Sequence, residues 1–214
     1  IHKAETRARY KAQMQATGLP LCSFMIGLLN DFPLATDPRA PAWLTQSIEA
    51  AKDLGVNNLL VAFFGKGDLL ADRKLKEAEF ARVIQRLKDA APRAKDAGIT
   101  LAVESMLSAE QNLKLLDAVN HEAVSIYYDV YNTGKTMGYD SPAEIRRLKG
   151  RISQIHYKNG PDYLDADKPY FEAITAAIKE IGYSGWIVLE TASPSKNGVA
   201  DAKRNGDFVR ALFA

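Results

Sequence analysis

Residues 98–131 read GITLAVESMLSAEQNLKLLDAVNHEAVSIYYDVY, and this stretch decides the fold. Gly98 stands where a helix would take a left-handed C′ residue, the position that costs glycine no Cβ clash. A short, nearly continuous apolar run follows at Thr100–Ser105 (TLAVES). A helical stretch around Asn112–Val119 then leads to a second run, Val124–Tyr131 (VSIYYDVY). Continuous rather than alternating apolar strands suit a parallel sheet covered by helices on both faces. Strand, helix, strand in this order is a βα unit.

The same sentence repeats outward in both directions. Helical text ending at Gly18 precedes Leu21–Leu29, and text ending at Gly55 precedes Asn58–Phe64. Gly150 precedes Ile152–Lys158, and Gly182 precedes Trp186–Thr191. Helix starts are legible too. Ser108 with Gln111 and Ser141 with Glu144 read as capping boxes, and Pro142 falls at N1, where its missing N–H costs nothing. Asp37 before Pro38 opens a helix through Ile48 and Ala51. Phe171, Ile174, Ile178 and Ile181 recur at helical spacing, and a last helix covers roughly 200–213. Six strands in strict alternation with helices give an α/β fold. A closed (β/α)₈ TIM barrel has eight, so the text is about two units short. No linker or composition shift interrupts it, and one domain over 1–214 is expected.

Composition bounds the function. The chain has 214 residues, 47% hydrophobic and 25% charged, as in an ordinary globular domain. Lys+Arg 28 against Asp+Glu 26 leaves +2 and no basic stripe, which speaks against nucleic acid as a partner. The longest apolar run, Leu19–Leu29, falls short of the ~20 residues that span a bilayer. The single Cys22 excludes an internal disulfide and fits a cytoplasmic setting, although the chain opens at Ile1 and a signal peptide upstream would be invisible.

Four residues share one structural address. Glu104, Asp129, His156 and Glu190 each lie near the C-terminal end of a strand, 25, 27 and 34 residues apart. One βα unit takes about 25–30 residues, so they fall one per successive unit. In a barrel, the C-terminal strand ends form the active-site face. Carboxylates and an imidazole in apolar strands carry a desolvation cost unless paired. Three carboxylates converging on one imidazole repel one another, and a divalent cation resolves that. Oxygen-rich donors with one nitrogen suit Mn²⁺, Mg²⁺, Co²⁺ or Zn²⁺ without choosing among them. The alternative is a set of separately solvated acids at the strand ends.

The stretch from LAVES through YYDVYN and QIHYKNG to GWIVLET resembles the xylose isomerase-like sugar isomerase/epimerase superfamily over essentially the whole chain. The resemblance implies a (β/α)₈ barrel whose last six strands are those read here, with Ile1 in the second helix. From its ketose 3-epimerase branch it implies one divalent metal on Glu104, Asp129, His156 and Glu190. There the two glutamates also form the proton-transfer pair, so Glu104 and Glu190 are the catalytic candidates. Removing a proton beside a carbonyl produces an enediolate that a Lewis-acidic metal stabilises. One carboxylate takes the proton and the other returns it. The expected activity is therefore metal-dependent isomerisation or epimerisation of a sugar or sugar phosphate. A lyase or dehydratase acting on a keto-sugar or cyclitol begins with the same deprotonation and is the alternative. A non-catalytic barrel serving as a binding module is a third reading, and it predicts eroded ligands. A three-zinc nuclease of the endonuclease IV type is disfavoured by the three histidines.

Departures qualify the substrate. Three residues after Asp129, where many epimerases carry a substrate-binding His, stands Asn132, as in the pentulose-phosphate 3-epimerase relatives. Lys158 faces the same mouth as His156, for a substrate hydroxyl, carboxylate or phosphate, or for a rim salt bridge. Phe64 and Lys66, in the Phe64-Gly65-Lys66-Gly67 segment after a strand, are placed over the substrate; the GxxxxGK spacing of a P-loop is absent. Ser193-Pro194-Ser195-Lys196, after the last strand, lies near where barrels often bind phosphate. Tyr183 and Trp186 read as packing residues, His2 and His121 as surface residues, and Cys22 as a small core hydrophobe. Six parallel strands leave two open edges that invite association, so two further strands before Ile1, or something else, are expected to cover the gap; a homo-oligomer is also an expected form.

Overall fold

The structure is a computed structural model that describes residues 1–214. The chain divides into two compact units, residues 1–107 with 111–126 and residues 108–110 with 127–214.

The first unit opens with helix α1 (Ala4–Thr17), which buries no residue and is tied to its neighbour by charge: Arg7 and Lys11 meet Asp53 at 2.6 and 2.5 Å. Strand β1 (Phe24–Met25) follows, then α2 (Ala40–Leu54), β2 (Asn58–Phe63) and a two-residue antiparallel hairpin, β3 (Leu70–Ala71) with β4 (Lys74–Leu75). Helix α3 (Glu77–Asp96), β5 (Thr100–Ser105), α4 (Ala109–Val119) and β6 (Val124–Asp129) complete the series. Helix α2 buries Leu44, Ile48 and Ala51, and α3 buries Phe80, Val83, Leu87, Ala91 and Ala94, each set on one face at helical spacing. All six residues of β2 are buried, and β2 pairs with β5 in parallel from Asn58↔Thr100 to Phe63↔Ser105. Each such buried Leu, Val or Phe contributes about 1.5–3 kcal/mol.

The second unit takes the end of β6 and adds a π-helical turn (Tyr131–Thr136), α5 (Ser141–Leu148), β7 (Ile152–Tyr157), α6 (Lys168–Glu180), β8 (Ile187–Leu189) and α7 (Gly198–Phe213). Helix α6 buries Phe171, Ile174 and Ile178, as their spacing predicts, while Ile181 is half-buried just past its end. Tyr157 packs its ring 5.2 Å from that of Phe171 and shares a 2.8 Å hydrogen bond with Thr175. Burial raises the Tyr157 phenol above its ordinary value. The sheet order is β1-β2-β5-β6-β7-β8, six strands in sequence order, with parallel pairing wherever register is defined. No helix is long and apolar enough to cross a membrane.

Several elements differ from their sequence reading, each for a local reason. Leu21–Leu29 yields only the two residues of β1, followed by a 3-10 turn at Gly27–Asn30; β1 has a single neighbour, and Met25 and Leu28 are exposed. Cys22 lies half-buried in that irregular segment rather than in a core. At the other edge Trp186–Thr191 shrinks to β8, and Trp186 is exposed instead of packed. Val124–Tyr131 stops at Asp129, because Val130 adopts helical dihedrals that start the π turn. Gly18, Gly55, Gly98 and Gly182 take the left-handed conformation, but Gly150 does not; Lys149 carries the positive φ there. His2 is exposed, whereas half-buried His121 accepts the Ala123 N–H on Nδ1.

The second capping box is replaced by a different cap. Asp140, one residue before Ser141, accepts the Ala143 N–H, while the Glu144 carboxylate accepts the N–H of Ala109 at the start of α4. Asp140→Ala is therefore expected to lower stability by about 1 kcal/mol. Urea unfolding of the variant checks this.

Candidate functional site

In the second unit three of the expected residues come together. Asp129, the last residue of β6, has a fully buried side chain. Its Oδ1 accepts the Asn132 N–H at 2.7 Å, which leaves Oδ2 facing His156 Nδ1 at 3.7 Å. His156 is the penultimate residue of β7, and its ring lies 4.3 Å from that of Tyr127 on β6. Its Nδ1 stands 3.5 Å from Glu190 Oε2. These separations are longer than hydrogen bonds. One donor atom from each of Asp129, His156 and Glu190 lies within 4.8 Å of the others. Glu190 sits one residue past β8, where its N–H still reaches the Tyr157 carbonyl at 3.1 Å, and its side chain is half exposed.

Lys158, just beyond β7, donates from Nζ to the same Glu190 oxygen at 3.1 Å. This salt bridge is the alternative to a substrate contact named for Lys158 from the sequence, and it points the ammonium at the Glu190 carboxylate. Asn132 contributes to the arrangement through its backbone N–H, with its side chain half-buried on the π turn.

The other expected residues belong to the first unit. Glu104 is the penultimate residue of β5, 4% exposed in a strand whose other positions are apolar or small. A carboxylate so buried is costly unless it is paired. Phe64 follows β2 and is half-buried, and Lys66 is exposed on the 3-10 turn Gly65–Gly67. That turn lies against the Leu29–Asn30 backbone: a Cβ on Gly67 would stand 2.6 Å from the Leu29 oxygen.

The serine loop behaves differently from its phosphate-binding reading. Ser193 Oγ and Ser195 Oγ each donate at 2.6 Å to the buried Asp201 carboxylate, joined by Ser195 N–H at 3.2 Å and Tyr163 O–H at 2.8 Å. The Ser193 and Ser195 hydroxyls, followed by Tyr163, hold the Asp201 carboxyl down at about 2. The loop's donors thus already hold an anion, which the chain itself supplies. Nothing in the local sequence marks Asp201 for this, since its partners lie 6, 8 and 38 residues away.

A family model described as xylose isomerase-like TIM barrel matches residues 2–212. The chain belongs to that family. Within the xylose isomerase-like TIM barrels, a relative from an Actinoplanes species, 2-epi-5-epi-valiolone 7-phosphate 2-epimerase, is 28% identical over 71% of this chain and 54% of its own length. The match therefore spans about half of that relative. Among solved structures, L-ribulose 3-epimerase superposes with a TM-score of 0.82 at 21% identity, covering 95% of this chain and 78% of the other. A xylose isomerase domain protein from Planctomyces limnophilus gives 0.81 at 16%, covering 99% and 84%. D-allulose 3-epimerase from Methylomonas sp. gives 0.79 at 18%, covering 96% and 81%. These likenesses establish the TIM-barrel fold.

Proposed function

We propose that this chain is a divalent-metal-dependent sugar isomerase or epimerase. In this reading Glu104, Asp129, His156 and Glu190 hold one cation, and Glu104 and Glu190 exchange the substrate proton. The observation that carries the reading is the convergence of Asp129 Oδ2 and Glu190 Oε2 on His156 Nδ1, at the C-terminal ends of strands in a chain of this family. The donor set fits the group. Two carboxylate oxygens and one imidazole nitrogen form a mixed oxygen–nitrogen set for Mn²⁺, Mg²⁺, Co²⁺ or Zn²⁺, and Glu104 stands at the same end of β5, the sheet neighbour of β6. Asn132 N–H fixes the Asp129 carboxylate as an outer-shell partner does. The cation supplies Lewis-acid stabilisation of the negative charge that develops beside a carbonyl on deprotonation.

The chain's own groups account for the rest. Glu190, half exposed, is reachable by a substrate C–H, and Lys158 steadies its carboxylate. Glu104, buried on the neighbouring strand series, is the second base and returns the proton. The relatives support epimerisation: one is a 2-epi-5-epi-valiolone 7-phosphate 2-epimerase, and others are L-ribulose and D-allulose 3-epimerases. The substrate of this chain is accordingly a ketose or a related keto-sugar, free or phosphorylated.

The test is solvent exchange. Metal-stripped protein is titrated with Mn²⁺ by calorimetry, then incubated in D₂O with ketoses, ketose phosphates and keto-cyclitols. The expected result is one Mn²⁺ per chain, with deuterium entering the carbon beside the carbonyl only in its presence. Loss of water from the substrate in place of exchange identifies a lyase. No Mn²⁺ binding, or no turnover of any of these classes by the loaded protein, overturns the proposal.

A further inference from the structure

Asp129 sits at a junction where β6 runs into a π-helical turn, and π turns recur at functional sites. The turn carries Asn132, whose N–H sets the Asp129 carboxylate. At the junction two successive backbone carbonyls accept side-chain hydroxyls. Thr133 Oγ1 donates to the Asp129 carbonyl at 2.7 Å. Tyr170 O–H, from α6, donates to the Val130 carbonyl at 2.5 Å, and Ser141 Oγ, from α5, lies 3.0 Å from the Tyr170 oxygen and 3.4 Å from the same carbonyl.

The turn is also shaped around the tyrosine. A Cβ on Gly134 would stand 2.0 Å from the Tyr170 oxygen and 2.3 Å from Ser141 Oγ, so only glycine admits both hydroxyls. Lys135, the next residue, lays its ammonium over the Tyr170 ring at 4.1 Å and pairs with Asp167 at 2.5 Å. Burial pushes the Tyr170 phenol up to about 12, so it remains a donor at neutral pH.

We propose that Tyr170 is a positioning residue for the candidate metal centre: its hydroxyl, seated in the space that Gly134 leaves open, clamps the π turn so that the Asn132 N–H holds Asp129 with one carboxylate oxygen aimed at His156. The inference rests on the metal reading above. Tyr170 touches neither donor atom and acts through the backbone at Val130. Outer-shell partners of metal ligands are typically worth about 10–100-fold in affinity. Tyr170→Phe keeps the ring and removes only the hydroxyl.

The experiment compares the full chain with Tyr170→Phe, Ser141→Ala and Tyr157→Phe. The last variant removes a hydroxyl still more buried, bonded to Thr175 and not to the turn. Mn²⁺ affinity is measured by calorimetry, ligand geometry by the visible bands of the Co²⁺-loaded protein, and stability by thermal melting. Tyr170→Phe is expected to weaken Mn²⁺ at least ~10-fold and shift the Co²⁺ bands, Ser141→Ala to do the same to a smaller degree, and Tyr157→Phe to lower the melting temperature alone. Unchanged affinity and bands in Tyr170→Phe overturn the inference. So does an equal loss in Tyr157→Phe, which would mark general destabilisation. If Tyr170→Phe does not fold, an unchanged Ser141→Ala counts against the clamp. Failure of the unsubstituted protein to bind Mn²⁺ overturns the metal reading itself, and this role with it.

Discussion

Glu104→Gln and Glu190→Gln are each expected to lose at least ~10²-fold in turnover while retaining much of the bound metal. Truncation to Ala would remove ligand and base together and distinguish nothing. Gln keeps the shape and one oxygen donor and deletes the base. The two positions differ in setting: Glu104 is buried on β5, whereas Glu190 is half exposed and shares an oxygen with Lys158. For an epimerase the two carboxylates serve opposite faces of the deprotonated carbon. Each variant should therefore exchange solvent deuterium on one face only, into substrate for one variant and into product for the other. Deuterium incorporation into recovered substrate and product, with metal content measured in parallel, reads this out. A Gln variant that keeps near-full activity with metal bound reduces that glutamate to a ligand and ends the two-base mechanism.

What the sequence shows of this fold is whatever is encoded within one βα unit. The core strands β2, β5, β6 and β7 lie where continuous apolar runs place them, because buried parallel strands need apolar residues on both faces. The strands with one neighbour, β1 and β8, are cut to two and three residues although their runs read as nine and six: an apolar run does not say how much of it finds a partner. The hairpin β3–β4 is invisible for another reason. Its two-residue turn puts Asp72 and Arg73 at positive φ with no glycine to announce it. The Asp129–His156–Glu190 convergence is legible because it needs only one residue per unit at a fixed address. The devices that hold it are not. The Tyr170 contact with Val130 spans 40 residues, and Tyr163 and Ser193 reach Asp201 across 38 and 8; no periodicity links such partners.

Asp201→Ala is expected to be among the most destabilising single changes away from the apolar core. Four donors converge on its carboxylate, from the loop after β8 (Ser193 O–H, Ser195 N–H and O–H) and from the loop after β7 (Tyr163 O–H). Deleting the acceptor removes at once the shared partner of the half-buried Tyr163 O–H and of three donors from Ser193 and Ser195, and with it the bonds that tie both loops to α7. The same face of α7 grips the β7 loop twice more: Asn205 Oδ1 accepts the Leu164 N–H at 3.0 Å, and Arg204 pairs with Asp165 at 3.0 Å while lying 3.8 Å over the Tyr163 ring. The melting temperature should fall by roughly 5 °C or more. Asp201→Asn, which keeps one acceptor oxygen, should fall less and carries the pH test. The folded carboxyl is held at about 2 by the Ser193 and Ser195 hydroxyls, below the ordinary aspartate value of about 3.9. A depressed carboxyl adds stability that is complete above its unfolded value and is lost as pH falls through the folded one. The gap in urea midpoint between the unsubstituted protein and Asp201→Asn should thus be constant above about pH 5 and close towards about pH 2. The neutral amide cannot titrate, so a gap that stays constant down to the lowest pH would show that the carboxylate's charge plays no part in holding the two loops.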